Sequence, residues 1–584
     1  AETLNRLSKP VEFNIEQKKA LTETLNQLFA RNYHFLFNAL AKAEANQQTS
    51  QVLRQQLVCD HLDIVDEQSL NWGAIDQAIV QAKQVTDLDV LDSLVPLSAC
   101  LNWQKVAAAV ALSRRFAVIS GGPGTGKTTT VTKLLSAMVE QSLSQGKTPT
   151  IKLVAPTGKA AARLTESIGK AIEQLPLAPE VKTNIPTESS TLHRLLGAIP
   201  NRAEFRHNRR NPLHLDILVV DEASMVDLSM MYKLVDALPE HARLILLGDK
   251  DQLASVEAGA VLGDICSFNS TGYSTAQGNL IAEMTGFDAI AKPRQVKAGS
   301  INPPAIADSL CMLQKSYRFD ARSGIGQLAK AINNGSANQV DQVFAKGFED
   351  IENHPLSSDS YNLMLRTLVN EYGAYLNRMN VPLEELETQE ARAKSVLDLF
   401  SQCRLLCSIR EGDFGVKGLN HRIERALAAR RLVNPHNDEL WYHGRPVMVT
   451  RNDHGLGLYN GDIGICMLEA DASSSSSTDD NSAPRLKVYF ELPDGSVKAV
   501  LPSRVPDHET AYAMTIHKSQ GSEFDLTLMI LPPDFSPILT RELIYTGITR
   551  AKKRLMMFSD TNVLKRGIKV KTERVSGLGS RLTS

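Results

Sequence analysis

Through the middle of the chain, short apolar runs alternate with longer stretches in which apolar residues recur every three or four positions. The runs at residues 116–119, 152–155, 217–220 and 243–247 read as buried strands of an open α/β sheet. Residues 101–119 read as a helix leading into the first of them. The first 98 residues are different. Leu, Ala, Gln and Asn stand there at helical spacing with little Gly or Pro, which predicts an N-terminal helical module for docking or support.

Beyond the last of these strands the pattern breaks. Residues 267–306 are rich in Gly, Ser, Thr and Ala without clear periodicity, and predict a flexible insertion. Order restarts at residue 311. Residues 440–503 read as short strands with an Asp494-Gly495 hairpin turn, a small SH3-like β-barrel holding a disordered polar loop at 471–483. The expected domains are therefore 1–98, 99–310, 311–439 with 504–584, and 440–503 as an insertion. A basic projection at 199–214 interrupts the first sheet.

Chemistry concentrates where the runs end. After the 116–119 run, Gly121, Gly122, Pro123, Gly124, Thr125, Gly126, Lys127, Thr128 and Thr129 fit G-x-x-x-x-G-K-[ST], a phosphate-binding loop. Its glycines let backbone N–H groups curl around phosphates, and the following helix N-terminus adds a field favourable to anions. In such a loop Lys127 reaches the β- and γ-phosphates and Thr128 holds Mg²⁺. The 217–220 run ends in Asp221-Glu222, carboxylates suited to holding Mg²⁺ and to orienting and deprotonating water. The 243–247 run ends in GDKDQL, whose Asp249 and Gln252 would lie near the γ-phosphate. Gln104, just upstream of the loop, can read an adenine edge.

Further candidates sit at other strand ends. Thr157, Gly158 and Lys159 offer a hydroxyl, an amide and a charge suited to a nucleic-acid phosphate, or else a solvated helix start. Thr191 and His193 are weaker candidates for the same duty. Arg202, Arg206, His207, Arg209 and Arg210 form either a solvated loop or a surface that steers a nucleic-acid strand. Arg404, Arg410, Lys417, Arg422, Arg425, Arg430 and Arg431 surround an apolar helix. Residues 513–525 carry Thr515, His517, Lys518, Gln520 and Glu523 on a strand-loop-helix pattern. Arg550, beside Tyr545 and Thr549, stands at the start of an expected helix.

Composition narrows the reading. The 584 residues require several cores, and a formal net charge of -1 means that any nucleic-acid site is a local concentration of cations. The seven cysteines include no C-x-x-C pair, so neither a zinc site nor a disulfide framework is indicated, and a cytoplasmic setting fits. No signal peptide and no membrane-spanning run is found. The chain begins at Ala1 without Met, as a piece numbered from within a longer protein would.

GGPGTGKTTT, DEAS, GDKDQL, SYRF, IHKSQGSEFD and YTGITRAK, in this order from about residue 101 to 553, resemble the superfamily 1 helicases. NWQKVAAAVAL, LVAPTGKAAARLTES, TLHRLLGA, VDEASMVDL and GDKDQLASVEAGAVLGDIC are most similar to the RecD family, subunits of the RecBCD complex, exodeoxyribonuclease V. The resemblance implies two RecA-like domains with ATP and Mg²⁺ in the cleft between them. It also implies 5′-to-3′ movement on single-stranded DNA, RecB and RecC as partners, and work in DNA repair and recombination. Carried over by position, Lys127 and Thr128 bind phosphate and metal, Asp221 holds Mg²⁺ and Glu222 activates water. Gln252, Arg318 and Arg550 meet the γ-phosphate, Glu523 the nucleotide, and Thr157, Lys159, His193, Thr515 and His517 line the DNA track. The family's N-terminal docking region is shortened here.

Other classes fit less well. A ring-forming remodeller shares only the first two motifs, and a dead scaffold would have lost Lys127, Glu222 or an arginine. No acidic cluster has nuclease spacing, so cutting in such a complex falls to a partner chain. The alternative is a stand-alone 5′-to-3′ helicase without RecB and RecC.

Overall fold

The computed structural model describes residues 1–47, 49–254, 261–291, 303–319, 322–436, 438–469, 485–492, 494–572 and 577–583. The four early apolar runs are strands of one sheet. β1 (Phe116–Gly121), β2 (Ile151–Ala155), β3 (Ser190–Thr191), β4 (Ile217–Val220), β5 (Arg243–Gly248) and β6 (Leu310–Leu313) lie in the order β3-β2-β4-β5-β1-β6. Every pairing is parallel. β1, β4 and β6 are buried along their whole length because both faces are covered, which is why they are apolar rather than alternating.

Successive side chains still point to opposite faces. Ala117, Ile119, Val219 and Ile245 face a core that runs unbroken into the N-terminal helices Ile15–Leu28, His34–Ala45, Gln51–Leu62 and Trp72–Gln81. Phe116, Val118, Leu218, Val220 and Leu246 face the other core, where Leu4 and Leu7 meet Leu578 and Leu582 from the far end of the chain. Both ends of the chain thus brace the first sheet.

The second half begins with β7 (Ile351–His354) and β8 (Cys403–Cys407). The chain then builds a separate antiparallel sheet from β9 (Pro446–Val449), β10 (Ile463–Leu468), β11 (Leu486–Glu491), β12 (Val497–Val500) and β13 (His508–Thr510). Val447, Val449, Cys466, Val488, Phe490 and Val500 give it a core of its own. It returns as β14 (Ala513–Thr515), which pairs with β8, followed by β15 (Phe524–Ile530) and β16 (Ala551–Phe558). The second parallel sheet has the order β14-β8-β15-β16-β7.

Three expectations change. Apart from these, the described strand pairings of the antiparallel sheet run β12-β11-β10-β9-β13, with none joining its two ends among the described residues. Its loop at 471–483 lies outside the described residues. The described part of the flexible insertion, through residue 291, is helical, with Thr275–Thr285 placing Ile281 and Met284 in the core. A buried polar knot holds that helix. Gln277 donates to Ser113 and to the Asp308 carbonyl at 3.0 Å each, and Arg114 pairs with Asp308 at 3.3 Å. Finally, residues 513–525 run strand, single 3₁₀ turn, strand, and Arg550 follows the helix Arg541–Ile548 instead of starting one.

Candidate nucleotide and nucleic-acid site

β1 delivers its last residue, Gly121, into the loop that precedes the helix Lys127–Ser144. Gly124 and Gly126 take φ of 70° and 80°, the left-handed region open to glycine. Close neighbours enforce the choice as well. A Cβ on Gly124 would strike Arg318, and one on Gly126 would strike the Gln104 amide. The Lys127 ammonium donates to the Gly121 and Gly122 carbonyls at 2.7 and 3.1 Å, which holds the loop curled. Gln104 donates to the Thr125 carbonyl at 3.1 Å, Ser316 to that of Pro123 at 3.0 Å, and the Tyr317 amide to that of Gly124 at 2.7 Å. The SYRF segment therefore lies directly across the loop, while Thr128 and Thr129 occupy the first helical turn.

The tips of β4 and β5 bring carboxylates beside it. Asp221 is raised to about 6 by burial and by the charge of Glu222, against the pull of Lys127 and Arg163. Glu222 itself sits at φ 50°, a strained position for a residue other than glycine and of the kind found at functional sites. Asp249, only 3% exposed, is raised to about 6 by burial and Asp251, and it accepts a hydrogen bond from Tyr545. Gln252 has its Oε1 buried without a partner among the described residues.

Glu523 joins the two halves. Arg163, on the helix Gly158–Gln174 packed beside the first sheet, and Arg318 from SYRF each place a guanidinium nitrogen 3.1 Å from its carboxylate. Burial alone would raise this acid. Arg163, Arg318 and Arg550 together outweigh burial and hold it at about 2. Arg550 is 2% exposed and donates to the Thr546 and Ser522 carbonyls at 3.0 Å each. Further links cross the cleft: Leu253 N donates to Thr546 Oγ1, Gln520 to the Leu253 carbonyl, both at 2.8 Å, and Arg163 to the Gly521 carbonyl at 2.5 Å.

The candidate nucleic-acid residues are spread along the same cleft. Thr157 caps the helix Gly158–Gln174 by accepting from Ala160 N at 3.2 Å. Lys159 is half-buried and lowered to about 7 by burial and Arg404, with Asp462, in the loop before β10, as its counter-charge. The loop before β10 lies over it: Tyr459 would be 3.8 Å from a Cβ on Gly158, and Asn460 accepts from Lys518 at 2.8 Å. His193 packs edge-on to Phe205, ring centroids 5.7 Å apart. Thr515 is buried and accepts from Lys518 N at 3.3 Å, and His517 follows it in the 3₁₀ turn. Arg202, Arg206, Arg209 and Arg210 are exposed.

The basic stretch from 404 to 431 is corrected in part. Arg404 is 1% exposed, its guanidinium 3.8 Å from the centre of the Phe400 ring, so it belongs to the core. Arg410 and Arg422 are paired with Glu509 and Asp413. Three participants were missed from sequence: Arg163, Thr546 and Leu253. A lone arginine on a helix of mixed polarity carries no signal, but Arg163 stands one turn after Lys159 on the same face, which could have raised it.

Residues 104–258 match the AAA-domain family, and residues 510–558 match the UvrD-like helicase C-terminal domain. The chain is 42% identical over 494 residues to the RecBCD enzyme subunit RecD of Haemophilus influenzae, covering 82% of this chain and 72% of that protein. To the same-named subunit of Mycolicibacterium smegmatis it is 38% identical over 487 residues, 82% of this chain and 74% of the relative. A Bacteroides Pif1 helicase crystallised with ADP-AlF3 and single-stranded DNA aligns at 15% identity and a TM-score of 0.36, over 84% of this chain and 95% of the other. Two parallel sheets beside one phosphate loop, with the two family-model matches and the RecD relatives, define an ATP-dependent DNA helicase of superfamily 1. The chain belongs to the RecD family.

Proposed function

We propose that the chain is the 5′-to-3′ motor of a RecBCD-type complex, moving on the 5′-ended single strand beside RecB and RecC during cytoplasmic double-strand break repair and recombination. The observation that carries the coupling is Glu523, held by arginines from both sides of the cleft. Such a set is complete only when the sheets approach, so closing and opening the cleft changes the spacing of two DNA-gripping surfaces. In this reading the antiparallel sheet is a small barrel-like insertion, and Thr157, Lys159, His193, Thr515 and His517 form the DNA track.

The residues present fit ATP and Mg²⁺. Half-buried Asp221 is pushed toward its neutral form by desolvation and by Glu222, and a divalent cation would relieve that penalty. Thr128 and Asp221 would hold the metal, which supplies charge neutralisation at the transferring phosphoryl group. Lys127 would exchange the Gly121 and Gly122 carbonyls for phosphate oxygens. Glu222 would take a proton from the attacking water, Gln252 would orient that water, and Arg318 and Arg550 would offset developing negative charge.

The test is ATP turnover with and without single-stranded DNA, followed by unwinding of 5′- and 3′-tailed duplexes. DNA-stimulated hydrolysis with unwinding of 5′-tailed substrate alone is expected, and 3′-tail preference would refute the polarity. Lys127→Gln should abolish turnover with its melting temperature nearly unchanged, because its two carbonyl contacts are local to the loop. Persisting turnover would refute the loop's role. The stand-alone reading would gain if the isolated chain unwinds DNA at full rate.

A further inference from the structure

A cavity of about 570 Å³ opens beside the phosphate loop. Gly124, Gly126 and Thr129 line one end, and residues of the N-terminal helical module line the other. A nucleotide with its phosphates on the loop and its base edge at Gln104 must extend along this space toward those helices.

Two groups at the far end are unexplained by the fold. Lys133 follows Thr129 by one turn and is half-buried, its ammonium 4.7 Å from the centre of the Phe29 ring. Among the described residues it has no acidic partner within ion-pair distance, and burial lowers its pKa. An ammonium keeps three donors, and a ring face uses none of them in a conventional hydrogen bond, so beside a cavity they are left for a ligand's acceptors. Lys133 lies six residues beyond Lys127, about 9 Å of helical rise, too far to share the same phosphate and at the distance of a sugar or base. Phe35 lines the same cavity and is 69% exposed, so its ring is free to lie against a group bound there.

We propose that the N-terminal helical module forms the base-and-ribose wall of the nucleotide site. Lys133, seated on Phe29, donates to acceptor atoms of the base or sugar, and Phe35 covers the bound heterocycle. The inference rests on the phosphate-loop reading above and adds to it a role for the module in nucleotide selection.

The test uses Phe35→Ala and Lys133→Met in the full chain, the second keeping an apolar stem on the Phe29 ring. KM for ATP is expected to rise about fivefold to tenfold in each, with kcat within about twofold, as for loss of uniform binding. Inhibition by inorganic tripolyphosphate, which has no base or sugar, should match wild type. Folded variants with wild-type KM would overturn the proposal, and so would a parallel loss of tripolyphosphate affinity, which would place the effect on the loop. If Lys133→Met lowers the melting temperature, exposed Phe35 decides the matter. A wild-type chain that neither hydrolyses ATP nor responds to tripolyphosphate would refute the phosphate-loop reading itself. Normal hydrolysis with unmoved KM refutes only the wall.

Discussion

The Tyr545 hydroxyl, on the helix Arg541–Ile548 beside the second sheet, donates a hydrogen bond to the Asp249 carboxylate at the tip of β5 in the first. It is one of few direct side-chain bonds across the cleft, and it ends on a carboxylate that also feels Lys127. Tyr545→Phe should therefore weaken communication between the halves. The expected result is a fall of about fivefold or more in the stimulation of ATP turnover by DNA. Equal stimulation in variant and wild type would show that this bond carries no coupling.

Asp249 also has a pH signature. Burial raises its pKa from 3.8 in the unfolded chain to about 6 in the folded one. The folded state thus binds the proton more tightly, and stability present below pH 4 is lost as pH rises through about 6. Asp249→Asn removes this loss while its amide oxygen can still accept from Tyr545. The variant should be more stable than wild type at pH 7.5, by about 3 kcal/mol, and no more stable at pH 4. Chemical denaturation at the two pH values measures it, and an equal gain at both would refute the cause. Lowered turnover should accompany the gain, since strained acids belong to active sites.

Four strands of the first sheet and the phosphate loop were legible because burial on both faces demands unbroken apolar runs and the loop demands glycine at fixed places. The two-residue strand Ser190–Thr191 is too short to leave a pattern, and Leu310–Leu313, expected to open the second domain, instead pairs with β1 at the edge of the first sheet. The region after residue 267 was not legible. Its core residues, Ile281, Met284 and Phe287, are diluted by Gly, Ser and Thr, and its helix is held by the polar knot of Gln277, Arg114 and Asp308. Such a knot joins residues far apart in the chain and leaves no periodic trace. Arg404 failed for the opposite reason: composition marks an arginine as exposed, and only the Phe400 and Phe524 rings around it make burial tolerable. Glu523 was placed near the nucleotide by resemblance, but its grip by Arg163 depends on packing between sheets.

DNA binding should be salt-sensitive although the chain is close to neutral. With Arg404 buried and Arg410 and Arg422 paired, the exposed arginines at 202, 206, 209 and 210 become the stronger candidates for phosphate contact. Replacing all four by alanine should reduce the slope of log K against log salt by up to about 3, at roughly 0.7 per single-strand phosphate lost. Fluorescence anisotropy with a labelled oligonucleotide reads this directly. An unchanged slope would mark the projection as an ordinary solvated loop.

Arg550 presents a harder test than an exposed arginine finger. It is buried and spends two of its nitrogens on the Thr546 and Ser522 carbonyls, so it positions the turn that precedes Glu523 as well as carrying charge toward the cleft. Arg550→Ala should therefore lose both stability and turnover, with stability falling by about 3 kcal/mol because two buried carbonyls lose their donor. Arg318 separates the two effects. Its side chain is 29% exposed and its ion pair with Glu523 is the only one it makes among the described residues, so Arg318→Ala should leave the melting temperature within a few degrees of wild type. Loss of an arginine that neutralises the transferring phosphoryl group lowers kcat by about 10³. If that is its work, Arg318→Ala loses kcat while a fluorescent nucleotide still binds, because the contact strengthens as the cleft closes and charge develops. Wild-type kcat in a normally folded Arg318→Ala would remove it from the reaction, leaving Glu523 as a structural clamp held by Arg163.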